Sequence, residues 1–223
     1  MISKQILDFL KDLKANNNRE WFLANKKRYE AYKAEYLSVV TAMLDALKEK
    51  DPALGMIEAK KCLFRINRDI RFSKDKSPYK TNMGMWFNTS TLHGHGPGYY
   101  IHIEPGASFI AGGYYMPDAT ELKKFRKEVA FFYDDLEAII ADKHFQSVFG
   151  DLDRDNALKT APKDFEKDHP AIGFLKLKSY TATCKLSDKE LSDKDFVQKV
   201  ANRIIALKPL NEFLRRALEA EDN

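Results

Sequence analysis

Cysteine is scarce in this chain: Cys62 and Cys184 are the two thiols in 223 residues, far apart and in no CxxC pair. That excludes the disulfide framework that staples small secreted domains and predicts two reduced, buried side chains. Long apolar runs are also missing, since no window approaches the ~18 residues that a spanning helix needs. The opening residues Met1-Ile2-Ser3-Lys4-Gln5-Ile6 lack the basic segment and apolar core of a signal peptide. The expectation is a cytoplasmic protein that makes no use of a membrane.

Charge of one sign is lacking too. Lys and Arg total 37 against 33 Asp and Glu, a net of +4, and the signs largely alternate. That balance is too mild to argue for nucleic acid or a lipid surface, although it does not remove RNA from consideration. The glycine-rich phosphate loop that ends in Gly-Lys-Ser/Thr is absent, so no nucleotide cofactor is implied. No serine stands in a nucleophile-elbow context. Internal repeats, low-complexity segments and linkers are likewise missing, and residues 1–223 are read as a single domain.

What is present is a globular composition, 44% hydrophobic with 12% aromatic residues. Ile6, Phe9, Leu10 and Leu13 recur at helical spacing and predict a short helix ending near Asn16. Asn17 and Glu20 have capping-box spacing and open a long helix with a Phe22, Tyr29, Tyr32, Tyr36, Val40, Met43 and Leu47 stripe. From Lys60 the period changes to two, predicting a strand over Cys62–Phe72. Further strands are expected at Met83–Asn88, Tyr99–Glu104, Ser108–Tyr115 and Ser179–Leu186. The pair Gly112-Gly113 suggests a bulge or a close backbone approach. Asp118 and Glu121 cap a second long helix carrying Leu122 to Ile139. Phe196, Val200, Ile204 and Leu207 make a last helix, which Pro209 interrupts. The fold class is α+β, an antiparallel β-meander with long helices packed on one face.

Chemistry concentrates in the basic, hydroxyl-rich run Arg65–Thr81. On a strand, Arg65, Asn67, Asp69 and Arg71 would share one face, where two guanidinium forks and an amide can grip a carboxylate or phosphate. Arg68 would point the other way and need a buried partner. Lys74, Lys76 and Lys80 follow in the connecting loop with Ser73, Ser77, Tyr79 and Thr81. The plain alternative is a solvated charged hairpin with Arg65–Asp69 as a structural pair. Tyr100, His102 and Glu104 share a face of the third predicted strand, and a histidine beside a carboxylate suits proton transfer. His93 and His95 lie in a glycine-rich loop, and no ligand spacing matches a zinc signature, so no metal is assigned.

The segments N-N-R-E-W-F-L-A-N (Asn17–Asn25), the run Arg65–Thr81 (especially R-F-S-K-D-K-S-P-Y-K-T), P-G-Y-Y-I-H-I-E-P-G (Pro97–Gly106) and G-G-Y-Y-M-P (Gly112–Pro117) resemble domain of unknown function 2461. The likeness continues through Pro162–Phe165, Asp168–Ala171 and Lys178–Tyr180 and so spans nearly the whole chain. It implies membership of a widespread, mostly bacterial family with a single domain. It also implies that Arg65, Arg68, Arg71, Lys76, Lys80, His102 and Glu104 are family features. It brings no activity with it.

Two functions are therefore expected. In the first, a small phosphate- or carboxylate-bearing ligand is bound by Arg65, Asn67, Arg68, Arg71, Lys76, Lys80 and Tyr100. His102 and Glu104 are then the candidates for catalysis. In the second, the same basic surface meets an acidic protein or RNA without catalysis. A concave site favours the first and a flat one the second.

Overall fold

The structure, a computed structural model, describes residues 1–89 and 96–220. Four strands, β1 (Met83–Asn88), β2 (Gly98–Ile103), β3 (Phe109–Tyr114) and β4 (Tyr180–Lys185), form one antiparallel sheet in the order β1-β2-β3-β4. With the helices this is an α+β fold. All four strands lie within a residue or two of their predicted positions; burial alternates along most of β2 and the start of β3, whereas β1 and β4 are buried throughout their first three residues. The turn after β2 closes where the Ala107 N–H donates to the Glu104 carbonyl at 2.8 Å. Gly106 there adopts the positive φ of 80° that the Pro-Gly turn requires.

The chain divides into two compact units. The first comprises Met1–Phe87, Tyr100–Ile110 and Lys185–Asn202. In it, α1 (Lys4–Ala15) buries Ile6, Phe9, Leu10 and Leu13 and packs on α3 (Lys26–Lys48). The α3 stripe is in the core, with Tyr32 4% and Met43 0% exposed, while Lys26 and Lys33 are exposed.

The predicted long helix is broken at Asn25, which separates α2 (Arg19–Ala24) from α3. The Asn25 amide donates to the Trp21 carbonyl at 2.9 Å, a local bond that competes with the helical ladder. Asn18, not Asn17, caps α2 by accepting from the Trp21 N–H at 2.9 Å. Asn17 instead pairs with the backbone of Tyr79, donating to its carbonyl at 2.9 Å and accepting from its N–H at 3.1 Å.

A larger correction concerns Cys62–Phe72, which forms no strand. A 3-10 turn runs over Ala59–Cys62, and beyond it Leu63 and Asn67 make single antiparallel bridges to Met85 and Tyr79. Residues 66–68 pair with 78–80 as an irregular hairpin, through Arg68 N–H to Pro78 C=O and Lys80 N–H to Ile66 C=O. Pro78 has no N–H to continue the ladder. Beyond it, the Asp69 and Asp75 carboxylates take the N–H groups of Arg71 and Ser77 and turn the backbone back on itself. The alternation in this segment is real, but a ladder needs donors that these residues have committed elsewhere.

The second unit comprises Asn88–Tyr99, Ala111–Cys184 and Arg203–Asn223. Asp118 and Glu121 make the predicted capping box at the start of α4 (Ala119–Phe131). The expected continuation to Ile139 is interrupted at Phe132, and α5 (Tyr133–Ala141) follows. Two short helices come next, α6 (Lys143–Val148) and α7 (Ile172–Leu175). A Cβ on Gly112 would lie 2.6 Å from the Gly98 carbonyl, and Gly113 has φ 99°, so this glycine pair serves a close approach of neighbouring strands.

In chain order α8 (Asp188–Leu191) and α9 (Phe196–Ile204) precede α10 (Lys208–Glu219). Pro209 sits in the first turn of α10, where a missing N–H costs nothing. α10 packs on α4 and carries Arg216, which pairs with Glu128 and, at 3.0 Å, with Asp135.

No helix among the described residues is long and apolar enough to cross a membrane. Neither cysteine is in a disulfide. Cys62 is buried as expected, and burial pushes its thiol up to about 11. Cys184 is only half-buried, with its Sγ 2.8 Å from an Arg203 nitrogen.

Candidate functional site

Loss of the predicted strand scatters the expected arginine face. Arg71 makes a two-pronged pair with Asp69, at 3.0 and 2.7 Å, on an exposed part of the hairpin. Arg68 lies half-buried, not among apolar side chains, and clips the hairpin tip shut. It binds Asp75, the Ser77 carbonyl and the Ser73 hydroxyl. Bonds from Ser77 and Arg68 hold the Asp75 carboxyl down to about 2. Lys76 donates to the Ile70 carbonyl at 2.9 Å. Asn67 is exposed and stands opposite Tyr79 in the backbone pairing of the hairpin, and its side chain does not line the cavity of Lys80. Arg68, Arg71 and Lys76 therefore organise the loop.

Two cations remain. Among the described residues neither Arg65 nor Lys80 has a carboxylate at ion-pairing distance. Lys80 is half-buried with its ammonium 4.9 Å from the centre of the Phe64 ring. Burial first, and then the positive charge of Arg65, lower its pKa below the ordinary lysine value. Its side chain lines a cavity of about 360 Å³ together with Phe64, Arg68, Asp69, Asn82, Tyr100 and His102. Asp69 brings a carboxylate to this wall, but Arg71 already neutralises it.

The opposite wall comes from β2, whose alternation turns Tyr100, His102 and Glu104 to one side. The Tyr100 hydroxyl lies 2.9 Å from His102 Nδ1, and the Asn82 amide nitrogen lies 3.4 Å from the same atom. His102 Nε2 is 3.3 Å from Glu104 Oε2. These partners select the tautomer. Asn82 Nδ2 can only donate and the Glu104 carboxylate can only accept, so Nδ1 is the acceptor and Nε2 carries the proton. The imidazole stacks on Phe109, with ring centres 4.7 Å apart and planes inclined by 13°.

Burial lowers the His102 pKa, and the adjacent Glu104 only partly offsets this, so the ring is neutral near pH 7. Burial would raise Glu104. Bonds from Lys14, at 2.9 Å, and from His102 outweigh that and hold its carboxyl below the ordinary value. Thr81 adds a hydroxyl to Glu104 at 3.3 Å. Burial, reinforced by Glu104, raises the Tyr100 phenol and keeps it protonated.

Several contributors were not foreseen. A Cβ on Gly84 would meet the Tyr100 hydroxyl at 2.9 Å, so a glycine in β1 is what lets the phenol lie across that strand. A glycine inside a strand pattern was the available signal. Asn82, Phe64, Phe109 and Lys14 carried none, since ordinary polar and apolar residues become informative only when tertiary structure assembles them. His93 and His95 lie outside the described residues. Among those described, no group of three or more His, Cys, Asp or Glu is placed to hold a metal ion.

No curated protein and no solved structure matches the chain. A family model does, and its match over residues 5–213 takes in both walls of the cavity: the chain belongs to the family described as conserved hypothetical protein, DUF2461.

Proposed function

We propose that this protein binds a small phosphate- or carboxylate-bearing ligand in the cavity between Lys80 and Tyr100, with His102 as the candidate to receive a proton from the ligand. The observation that carries this reading is the half-buried ammonium of Lys80, which has no carboxylate at ion-pairing distance among the described residues and has the exposed Arg65 guanidinium nearby. Burying a cation without a partner costs folding energy, and an incoming anion removes that cost. Charge-assisted bonds from an ammonium and a guanidinium are the strong kind of anion contact. Glu104 is a positioning residue, since it holds the imidazole in the tautomer that makes Nδ1 the acceptor, on the side of Tyr100 and Asn82.

The rival reading, an interaction module for an acidic protein or RNA, would draw on the hairpin tip. Three of the cations there are already bound to the tip's own acceptors. Two cysteines outside any disulfide support a reducing, cytoplasmic location.

The test is thermal unfolding against a series of inorganic phosphate and simple carboxylates. A ligand at 100 times its dissociation constant adds ~2.7 kcal/mol of stability, and the midpoint should rise with its concentration. A midpoint indifferent to every anion in the series would sink the proposal.

A further inference from the structure

A second cavity, of about 430 Å³, adjoins the first and shares Phe64 and Asn82 with it. Its character differs. One wall is the face of α3 that carries Tyr29, Tyr32 and Leu37, and the other is the extended segment with Leu63, Phe64 and Arg65. Arg65 thus stands at the end of this cavity while Lys80 stands in the neighbouring one, near enough for the two charges to perturb each other.

Tyr32 is only 4% exposed, yet its hydroxyl has no hydrogen-bond partner among the described residues. Tyr36 differs, because its hydroxyl donates to the Gly84 carbonyl. The Tyr32 ring is buried while its hydroxyl oxygen stays open to the cavity, so an entering ligand can take the place of water on that donor. For scale, an apolar cavity of ~150 Å³ holds a benzene molecule, so this one accepts a ring with substituents. Of the other charged residues that line it, Lys33 is bound to Glu30 at 3.3 Å, and Lys60 is exposed.

We infer that the ligand is an organic anion with an uncharged ring-sized body, whose anionic group lies between Arg65 and Lys80 and whose body fills the Tyr29–Tyr32–Leu37 cavity. This deepens the anion-site reading and rests on it. Inorganic phosphate fills only the charged end of such a site. A ring attached to the same group gains the contacts of the aromatic end, and its one polar substituent can meet the Tyr32 hydroxyl.

Calorimetric titration of the full chain with two probe pairs, inorganic phosphate against phenyl phosphate and acetate against benzoate, separates the two claims. We expect the ring-bearing member of at least one pair to bind roughly tenfold tighter or more, the gain that burying an aromatic ring supplies. Ala34→Trp, at an exposed α3 position lining the second cavity, should erase that preference while leaving the ring-free anion unchanged. The tyrosine ring resonances of Tyr29 and Tyr32 in the unaltered protein should shift with the ring-bearing anion and not with its ring-free partner, a readout that needs no variant. Equal affinity within both pairs, with binding still dependent on Lys80, overturns this inference and leaves the anion site standing. A chain that binds none of the four overturns both. Ring-dependent binding that survives Lys80→Met overturns the joined site.

Discussion

The tip and the base of the Arg65–Thr81 hairpin have much the same composition and opposite electrostatics. At the tip Arg68, Arg71 and Lys76 each find acceptors within a few residues, and the loop is its own counter-ion. At the base Arg65 and Lys80 find none, and burial holds Lys80 below its ordinary pKa. What separates the two groups is the presence of a carboxylate or carbonyl at short loop distance. Local pairs form where the chain turns back on itself, and Lys80 stays available because strands and rings wall it off from such turns. A basic cluster in a sequence is therefore a mixture, and the geometry of its backbone sorts it.

Substitutions can break that contrast. The largest effect is expected from Lys80→Met, which should weaken any anion found by the thermal screen about tenfold to a hundredfold, the value of one charge-assisted bond. The same variant should melt no lower than the parent without ligand, because it removes a half-buried charge that has no carboxylate partner among the described residues. Calorimetry and melting together check this, and loss of stability with unchanged binding would make Lys80 structural.

Next comes Asn17→Ala, which deletes both bonds to the Tyr79 backbone and leaves them unreplaced. It should cost about 1–3 kcal/mol in denaturant unfolding. An unchanged midpoint would mean that the hairpin is not anchored there.

A smaller effect sharpens the β2 wall. Glu104→Gln removes the charge that partly restores the His102 pKa, so the imidazole should titrate lower still by NMR. The sign for stability follows. His102 sits below its ordinary value of 6.5, so the unfolded chain takes up the proton first as pH falls. The stability contribution is full above the unfolded value and is lost as pH drops through the folded one. His102→Gln should flatten that part of the curve, and a curve identical to the parent's would show that the ring titrates as an ordinary exposed histidine.

The smallest effect belongs to the tip. Arg71→Ala should leave anion affinity within about twofold and the melting point unchanged within scatter, since exposed pairs contribute little. A tenfold loss of affinity would erase the distinction between tip and base.

The elements were legible in the sequence because they rest on local rules. Alternation located β4, the Glu104–Ala107 turn separated β2 from β3, Asp118 and Glu121 announced a capping box that forms, and the Tyr32–Met43 stripe identified the buried side of α3. The errors fall where two local rules compete. Asn17 and Asn18 both suit a cap, and only the position of Tyr79 gave Asn18 that role. Residues 62–72 alternate as a strand does, yet Pro78 and two aspartate turns withdrew the donors a ladder needs.

The site divides the same way. That Tyr100, His102 and Glu104 share a side follows from the twofold period of a strand, and the sequence by itself determined it. Which cations face them did not follow, because Lys80 and Arg65 differ from Arg68, Arg71 and Lys76 only in what lies within a few ångströms. Side-chain type decides what a residue can do. The company it keeps across 20 to 90 residues of chain, as with Lys14 and Glu104 or Asn82 and His102, is set by tertiary packing alone.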